Sequence, residues 1–227
     1  MVVPSIAEVQ VILNQTEQAK SLTEKDKSFL LEHLRIISYS KGETIYKQGA
    51  TICDYAILVT GLCKITVENQ AEGNGTIISL PQPVSLVGIF SLQDTIYKYT
   101  ATALSDSVLA FIDKEAFAQV MLNNGKFCYQ MFESLCRRTK TFVRMSVDFS
   151  QKPILSRVAS SLLYMSEMVN GDCIDLPISR NDLAEYAGIA TGSTIRLLSD
   201  LEKNGIITLD KKTILIKDKE ALKAIAL

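Results

Sequence analysis

Hydrophobic and polar positions change their period several times along the chain. From Leu22 to about Ser38, Leu22, Phe29, Leu30 and Leu34 fall on one stripe, which predicts an amphipathic helix. From Lys41 to Ile112 the texture is that of short strands. Ile45, Tyr46, Tyr55, Ile57, Val59, Ile65, Val67, Ile77, Ile78 and Leu80 are strand formers, and Gly42, Gly49, Gly61, Gly73-Asn74-Gly75 and Gly88 cut between them. A second cluster, Thr95 to Ile112, fits two more strands. Evenly spaced short strands with glycine turns predict a sandwich or barrel. From Asp113 the period becomes helical again.

Between Lys126 and Phe149 the spacing alternates four and three through Cys128, Phe132, Leu135, Thr139, Phe142, Ser146 and Phe149. That is a heptad seam of about three repeats, enough to predict a helix that pairs with a second copy. The alternative is a helix lying on its own domain, because Met131, Val143 and Met145 widen the apolar face. The length of the helix, and its place between two different textures, favour the dimer. Gln151-Lys152-Pro153 ends it. A further helix follows with Ile154, Val158, Leu162 and Met165 on one face, then a turn at Asn170-Gly171-Asp172 and a short strand from Cys173 to Leu176.

Ser179-Arg180-Asn181-Asp182 is a capping box in its Asp form. It opens a short helix carrying Leu183, Ala184 and Ala187, which Gly188 closes. Ile189 plugs the corner. A second helix is expected from about Thr191 to Asn204, with Ile195, Leu198 and Leu201 inward. Two short helices about a tight glycine turn form a helix-turn-helix. Ile206–Leu209, the turn Asp210-Lys211-Lys212, and Thr213–Ile216 then predict a hairpin, which makes a wing. The second helix would enter the major groove with Thr191, Gly192 and Arg196 at base edges. Arg196 alone can make a bidentate contact to guanine. Ser179, Arg180 and Ser193, with Lys211 and Lys212 at the wing tip, are placed for phosphates. Taken in isolation, Arg196 could instead pair with Asp200 one turn on.

Composition narrows the picture chiefly by exclusion. The 227 residues are 47% hydrophobic and 22% charged, with net charge −1, so bulk charge does not point to nucleic acid. Acids and bases also balance from Ser150 onward. No apolar run is long enough to span a membrane, and Met1–Lys20 does not read as a signal peptide, so the expected location is cytoplasmic. Cys53, Cys63, Cys128, Cys136 and Cys173 lack metal-ligand spacing and read mostly as small core residues. There is no Ser-His-Asp set, metal cluster or phosphate-cradling loop. One histidine, His33, leaves little for acid–base chemistry. A non-enzyme without cofactor is expected.

In these features the chain resembles the CRP/FNR family of bacterial regulators, from about Leu22 to its end. Lys41-Gly42-Glu43-Thr44-Ile45 with Gln48-Gly49, then Asp54, Tyr55, Ile57 and Gly61, are similar to that family's opening strand motifs. Ser179-Arg180, Leu183-Ala184, Gly188, Ser193 and Arg196-Leu197-Leu198 are similar to its helix-turn-helix. The resemblance implies an α+β chain in three parts: an N-terminal double-stranded β-helix or jelly roll of the cyclic-nucleotide-binding type (1–122), a dimerisation helix (123–150) and a C-terminal winged helix-turn-helix (151–227). It implies double-stranded DNA, a second copy of the chain and RNA polymerase as partners, with a small-molecule effector of unidentified chemistry. Cyclic-nucleotide-binding members hold the phosphate with a Gly-Glu pair and an Arg-Ser/Thr pair, and touch the base from the dimer helix with Thr/Ser. Here Gly88 matches, but Ile89, Tyr97, Lys98, Phe142 and Val143 stand at the other positions. Neither Ile89 nor Tyr97 supplies an oriented cation or a ribose acceptor, so no tight cyclic AMP binding is expected. The family's sequences also often place glutamate where this chain has Gly192, which implies a different operator. Two rivals remain: a small-molecule sensor whose winged domain binds a protein, and an enzyme.

Overall fold

The computed structural model describes residues 5–14, 17–68, 75–88, 91–92 and 94–227. Ile89 and the Gly73-Asn74 part of the glycine turn lie outside the described residues. The chain divides into two compact units, one of residues 1–74 with 78–140, the other of residues 141–227 with 75–77.

The first unit begins with three short helices, α1 (Ile6–Leu13), α2 (Glu17–Lys20) and α3 (Glu24–Glu32). Ser5 and Thr23 cap α1 and α3 with full capping boxes closed by Glu8 and Asp26. The helix read from Leu22 to Ser38 stops at His33. Leu34–Tyr39 is a strand instead, β1, pairing antiparallel with the last strand of the unit from Leu34↔Ile112 to Tyr39↔Ser107. Leu34 follows Leu30 by four and so continues the helical stripe. The β-branched pair Ile36-Ile37, with an open strand edge to join, favours the ladder.

Seven more strands follow: β2 (Thr44–Tyr46), β3 (Asp54–Thr60), β4 (Cys63–Glu68), β5 (Gly75–Ser79), β6 (Leu86–Val87), β7 (Thr100–Ala103) and β8 (Ser107–Asp113). They form two four-stranded sheets, β1-β8-β3-β6 and β2-β7-β4-β5. This is the predicted roll, and Thr95–Ile112 does supply two strands. Ala56, Leu58, Cys63, Ile65, Ala101, Leu109 and Ala110 are buried in the core of this unit. Asp113 ends β8 and caps α4 (Lys114–Asn123), accepting from the amides of Glu115 and Ala116. Asn124 then joins three elements. Its Oδ1 accepts from the Phe127 amide (2.9 Å), while its Nδ2 donates to Asp26 (2.8 Å) and to the Ser21 carbonyl (3.0 Å).

The long helix is α5 (Gly125–Gln151). The predicted seam is largely uncovered: Phe132 is 61% exposed and Phe142 46%, and Thr139 and Ser146 are also exposed. Cys128, Leu135 and Phe149 are half-buried. Pro153 separates α5 from α6 (Ile154–Met168), whose Val158, Leu162 and Met165 are fully buried, whereas Ile154 is 38% exposed.

The second unit continues with β9 (Cys173–Ile174), α7 (Arg180–Ala187), α8 (Thr191–Lys203), β10 (Ile207–Asp210), β11 (Thr213–Ile216) and α9 (Lys219–Ala226). β9 is shorter than the expected Cys173–Leu176 and adds to the hairpin in the order β10-β11-β9. α6 packs on α7, α8 and α9. Asp148 near the end of α5 is buried, paired with Lys152 (2.8 Å) and accepting from the Tyr164 hydroxyl (2.7 Å). Lys152 also donates to Ser160 and to the Ala226 carbonyl. The cysteines depart from expectation. Cys63 is buried, but Cys53, Cys136 and Cys173 are exposed, on a loop before β3, the outer side of α5 and the edge strand β9. Among the described residues no helix is long and apolar enough to cross a membrane.

Candidate nucleic-acid interface

The corner between α7 and α8 is built as its residues dictate. Ser179 accepts from the Asp182 amide, and the Asp182 carboxylate accepts in return from the Ser179 amide (2.8 Å) and hydroxyl (2.6 Å). At the far end Gly188 has φ +63°, the left-handed region that L side chains rarely enter. A Cβ there would meet only ordinary contacts, the nearest being Arg157 at 3.6 Å. The backbone angle, not lack of room, therefore requires glycine. Arg157 on α6 donates to the Gly188 carbonyl (3.1 Å), which ties the corner to the body of the unit.

α8 buries Thr194, Leu197, Leu198 and Leu201. Ile195, expected inward with Leu198 and Leu201, is 51% exposed. Its spacing of three to Leu198 suggests a shared face. The buried arc, however, is centred on the side of Thr194 and Leu201 and leaves Ile195 beyond its edge. The outward stripe is then Gly192, Ile195 and Arg196, with Ser199 half-buried beside them. Arg196 is exposed and makes no ion pair among the described residues. Asp200, its alternative partner, instead lies 4.0 Å from Lys203.

Some candidate contacts already have partners. Thr191 is half-buried and donates through its hydroxyl to Asn181 Oδ1 (2.8 Å), and Asn181 donates to Glu185 (2.7 Å). This bridge between the starts of α7 and α8 was missed in the sequence, although Asn181 two residues into one helix and Thr191 at the head of the next could have signalled it. Arg180 is half-buried, and its Nη2 donates to the Lys211 carbonyl (3.3 Å), binding the wing turn to α7. Lys211 and Lys212 are exposed, Lys211 at φ +49°. Ser179 is exposed with its hydroxyl engaged in the cap, and Ser193 is half-buried.

The positions that the resemblance assigns to an effector site are, apart from Lys98, glycine, apolar or aromatic. Gly88 has φ +108°, and a Cβ there would come within 3.3 Å of the Tyr55 ring. Tyr97 is buried, stacked on Tyr46 with ring centres 4.2 Å apart, and donates its hydroxyl to the Asp54 carbonyl (2.7 Å). Burial pushes the Tyr97 pKa up, so its phenol stays neutral. Lys98 is exposed, as are Phe142 and Val143 on α5.

A separate apolar cavity of about 110 Å³ lies within the first unit, between α1–α3, the β1-β8-β3-β6 sheet and the first half of α5. Arg138 lines it and donates to the Leu86 carbonyl (2.8 Å). Nothing in the sequence pattern marks this cavity, because its lining comes from stretches far apart in the chain, from Gln10 to Arg138.

Two family models match the chain. A Crp-like helix-turn-helix domain matches residues 156–225, and a cyclic nucleotide-binding domain matches residues 36–124. Among curated proteins the chain is similar to the transcriptional activator protein FnrA of Stutzerimonas stutzeri, 26% identical over 192 residues, 82% of this chain and 78% of that protein. Among solved structures it is similar to FixK2 from Bradyrhizobium japonicum (TM-score 0.78, 20% identity, 86% of this chain and 98% of the other). It is also similar to the c-di-GMP responsive regulator CLP of Xanthomonas campestris (TM-score 0.74, 16% identity, 86% and 99%). At those identities the two structures speak for the fold: a β-roll, a long helix and a C-terminal helix-turn-helix.

Proposed function

Since the chain belongs to the CRP/FNR family of bacterial transcription regulators, we propose that it acts as a homodimer on a two-fold symmetric operator and reads each half-site with the outward stripe of α8. The observation that carries this reading is Arg196, exposed on that stripe and without an ion-pair partner among the described residues. A free guanidinium can fork onto guanine O6 and N7, worth about 1–3 kcal/mol against the wrong base. Ile195 beside it offers an apolar surface suited to a thymine methyl group. Arg180, Lys211 and Lys212 face phosphates, Arg180 with the donors left over from holding the wing turn. Ser179 and Ser193 approach phosphates near the helix starts, and Thr191 reaches base edges only by giving up Asn181. The uncovered seam of α5, with Phe132 and Phe142, is buried against the same seam of a second copy, setting the recognition helices about 34–36 Å apart.

Binding-site selection with the full-length protein tests the reading. Arg196→Ala should lose preference at one base pair per half-site while keeping the rest of the consensus. An unchanged consensus would remove Arg196 from base reading. No tight cyclic AMP binding belongs to the same proposal, because Tyr97 fills its position with a buried neutral phenol, hydrogen-bonded to the backbone, where a cyclic phosphate needs an oriented cation.

A further inference from the structure

The cavity of the first unit has an unusual pairing of walls and lining charge. Its walls are apolar, with Leu30, Leu86, Ile112, Phe117 and Met131 among them. At the α5 side stand Ser134 and Arg138, four residues apart and so on one helix face. Arg138 is half-buried, and burial lowers its hold on its proton. Among the described residues it makes one hydrogen bond, to the Leu86 carbonyl, and no ion pair. Lys27, the other cation in the lining, already pairs with Glu24 at 2.7 Å. A guanidinium drawn out of water without a counter-anion is costly, and its fork matches a carboxylate better than any neutral group. Neither Gly88 nor Tyr97 lines this cavity, so it is distinct from the degenerate effector positions of the roll.

We propose that this cavity binds a small monocarboxylate with an apolar tail of roughly four to six carbons, its carboxylate forked by Arg138 and its tail against the Leu–Ile–Phe–Met walls. The size follows from comparison with an apolar cavity of about 150 Å³, which takes a benzene ring. The tail supplies the affinity, roughly fourfold for each methylene buried. Arg138 supplies the preference for an acid over an alcohol.

The test is ligand titration of the full-length protein, read by thermal shift and calorimetry and independent of operator binding, so that its failure leaves the DNA reading untouched. Acetate, butanoate, pentanoate, hexanoate and hexan-1-ol are the probes. Affinity should climb about fourfold per carbon from butanoate to hexanoate, with hexanoate well ahead of the alcohol, and bound ligand should raise the melting temperature. Arg138→Met, which keeps bulk and removes charge, should weaken hexanoate at least about tenfold and leave the alcohol unchanged. Ala19→Phe, which intrudes into the cavity from α2, should weaken both. No melting shift with hexanoate at about 10 mM would overturn the proposal. So would equal affinity for acid and alcohol in the unsubstituted protein, a result that needs no variant to fold.

Discussion

Two glycines of the DNA-binding unit show how one residue type serves opposite purposes. Gly188 holds φ +63° at the corner, while Gly192 lies in the first turn of α8 with nothing within 4 Å of the position its Cβ would take. Gly188→Ala should therefore destabilise the protein by about 1–2 kcal/mol in urea denaturation, the strain of an L residue in that region. Gly192→Ala should be neutral or stabilise by up to about 1 kcal/mol, because alanine restricts the unfolded chain and favours the helix. If Gly188→Ala is the milder of the two, the corner is not held as described. The role of Gly188 was legible from a capping box nine residues upstream and an apolar residue after it. The exposure of the cysteines was not, because sequence gives a thiol's company only through its neighbours. Burial pushes the Cys63 thiol up to about 11. A thiol reagent near neutral pH should label Cys53 and Cys173 in the folded protein and reach Cys63 only on unfolding. Rapid labelling of Cys63 would show that β4 opens locally.

At the scale of elements, legibility followed agreement between local signals. The α7–α8 corner and the wing were readable because cap, glycine, periodicity and hairpin turn all favoured one arrangement. The end of α3 was not, because Leu34 satisfied the helical period and the strand period alike, and only the partner strand β8 decided between them. Ile195 was misplaced for a related reason: spacing of three or four restricts a residue to a face but does not centre the buried arc. The junction of α5 and α6 carries a consequence that no periodicity reveals. Desolvation raises the Asp148 pKa, but hydrogen bonds from Lys152 and Tyr164 and the Lys152 charge outweigh it, and the net pKa lies below the ordinary aspartate value. A carboxyl with a depressed folded pKa contributes stability that is complete above its unfolded pKa of about 3.9 and is lost as pH falls through the folded value. Asp148→Asn should cost about 2 kcal/mol at neutral pH, the worth of hydrogen bonds to a charged group, and should flatten the acid limb of the stability profile. An acid limb identical to that of the unsubstituted protein would mean that other carboxylates carry it.

For the molecule as a whole, net charge −1 supplies no general attraction to a polyanion. With Arg180, Arg196, Lys211 and Lys212 as the proposed DNA-facing cations, one half-site held by one protomer should be weak and only modestly salt-dependent. On the proposed dimeric reading, affinity then comes from joining two such contacts through α5. Once one recognition helix is bound, its partner searches at millimolar effective concentration, and a linked pair can exceed a single contact by about 10²–10⁴ without any new interaction. Glutamates at Phe132 and Phe142 would place charges on the exposed seam and leave the residues of α7 and α8 unchanged. The doubly substituted Phe132→Glu/Phe142→Glu protein should sediment as a single chain with unchanged helix content. It should bind an isolated half-site as the unsubstituted protein does, and a full two-half-site duplex about 10²–10⁴ more weakly. A dimeric mass in that variant would move the interface off the seam of α5, whereas a monomer that still gripped the full site tightly would show that symmetry is not the source of affinity.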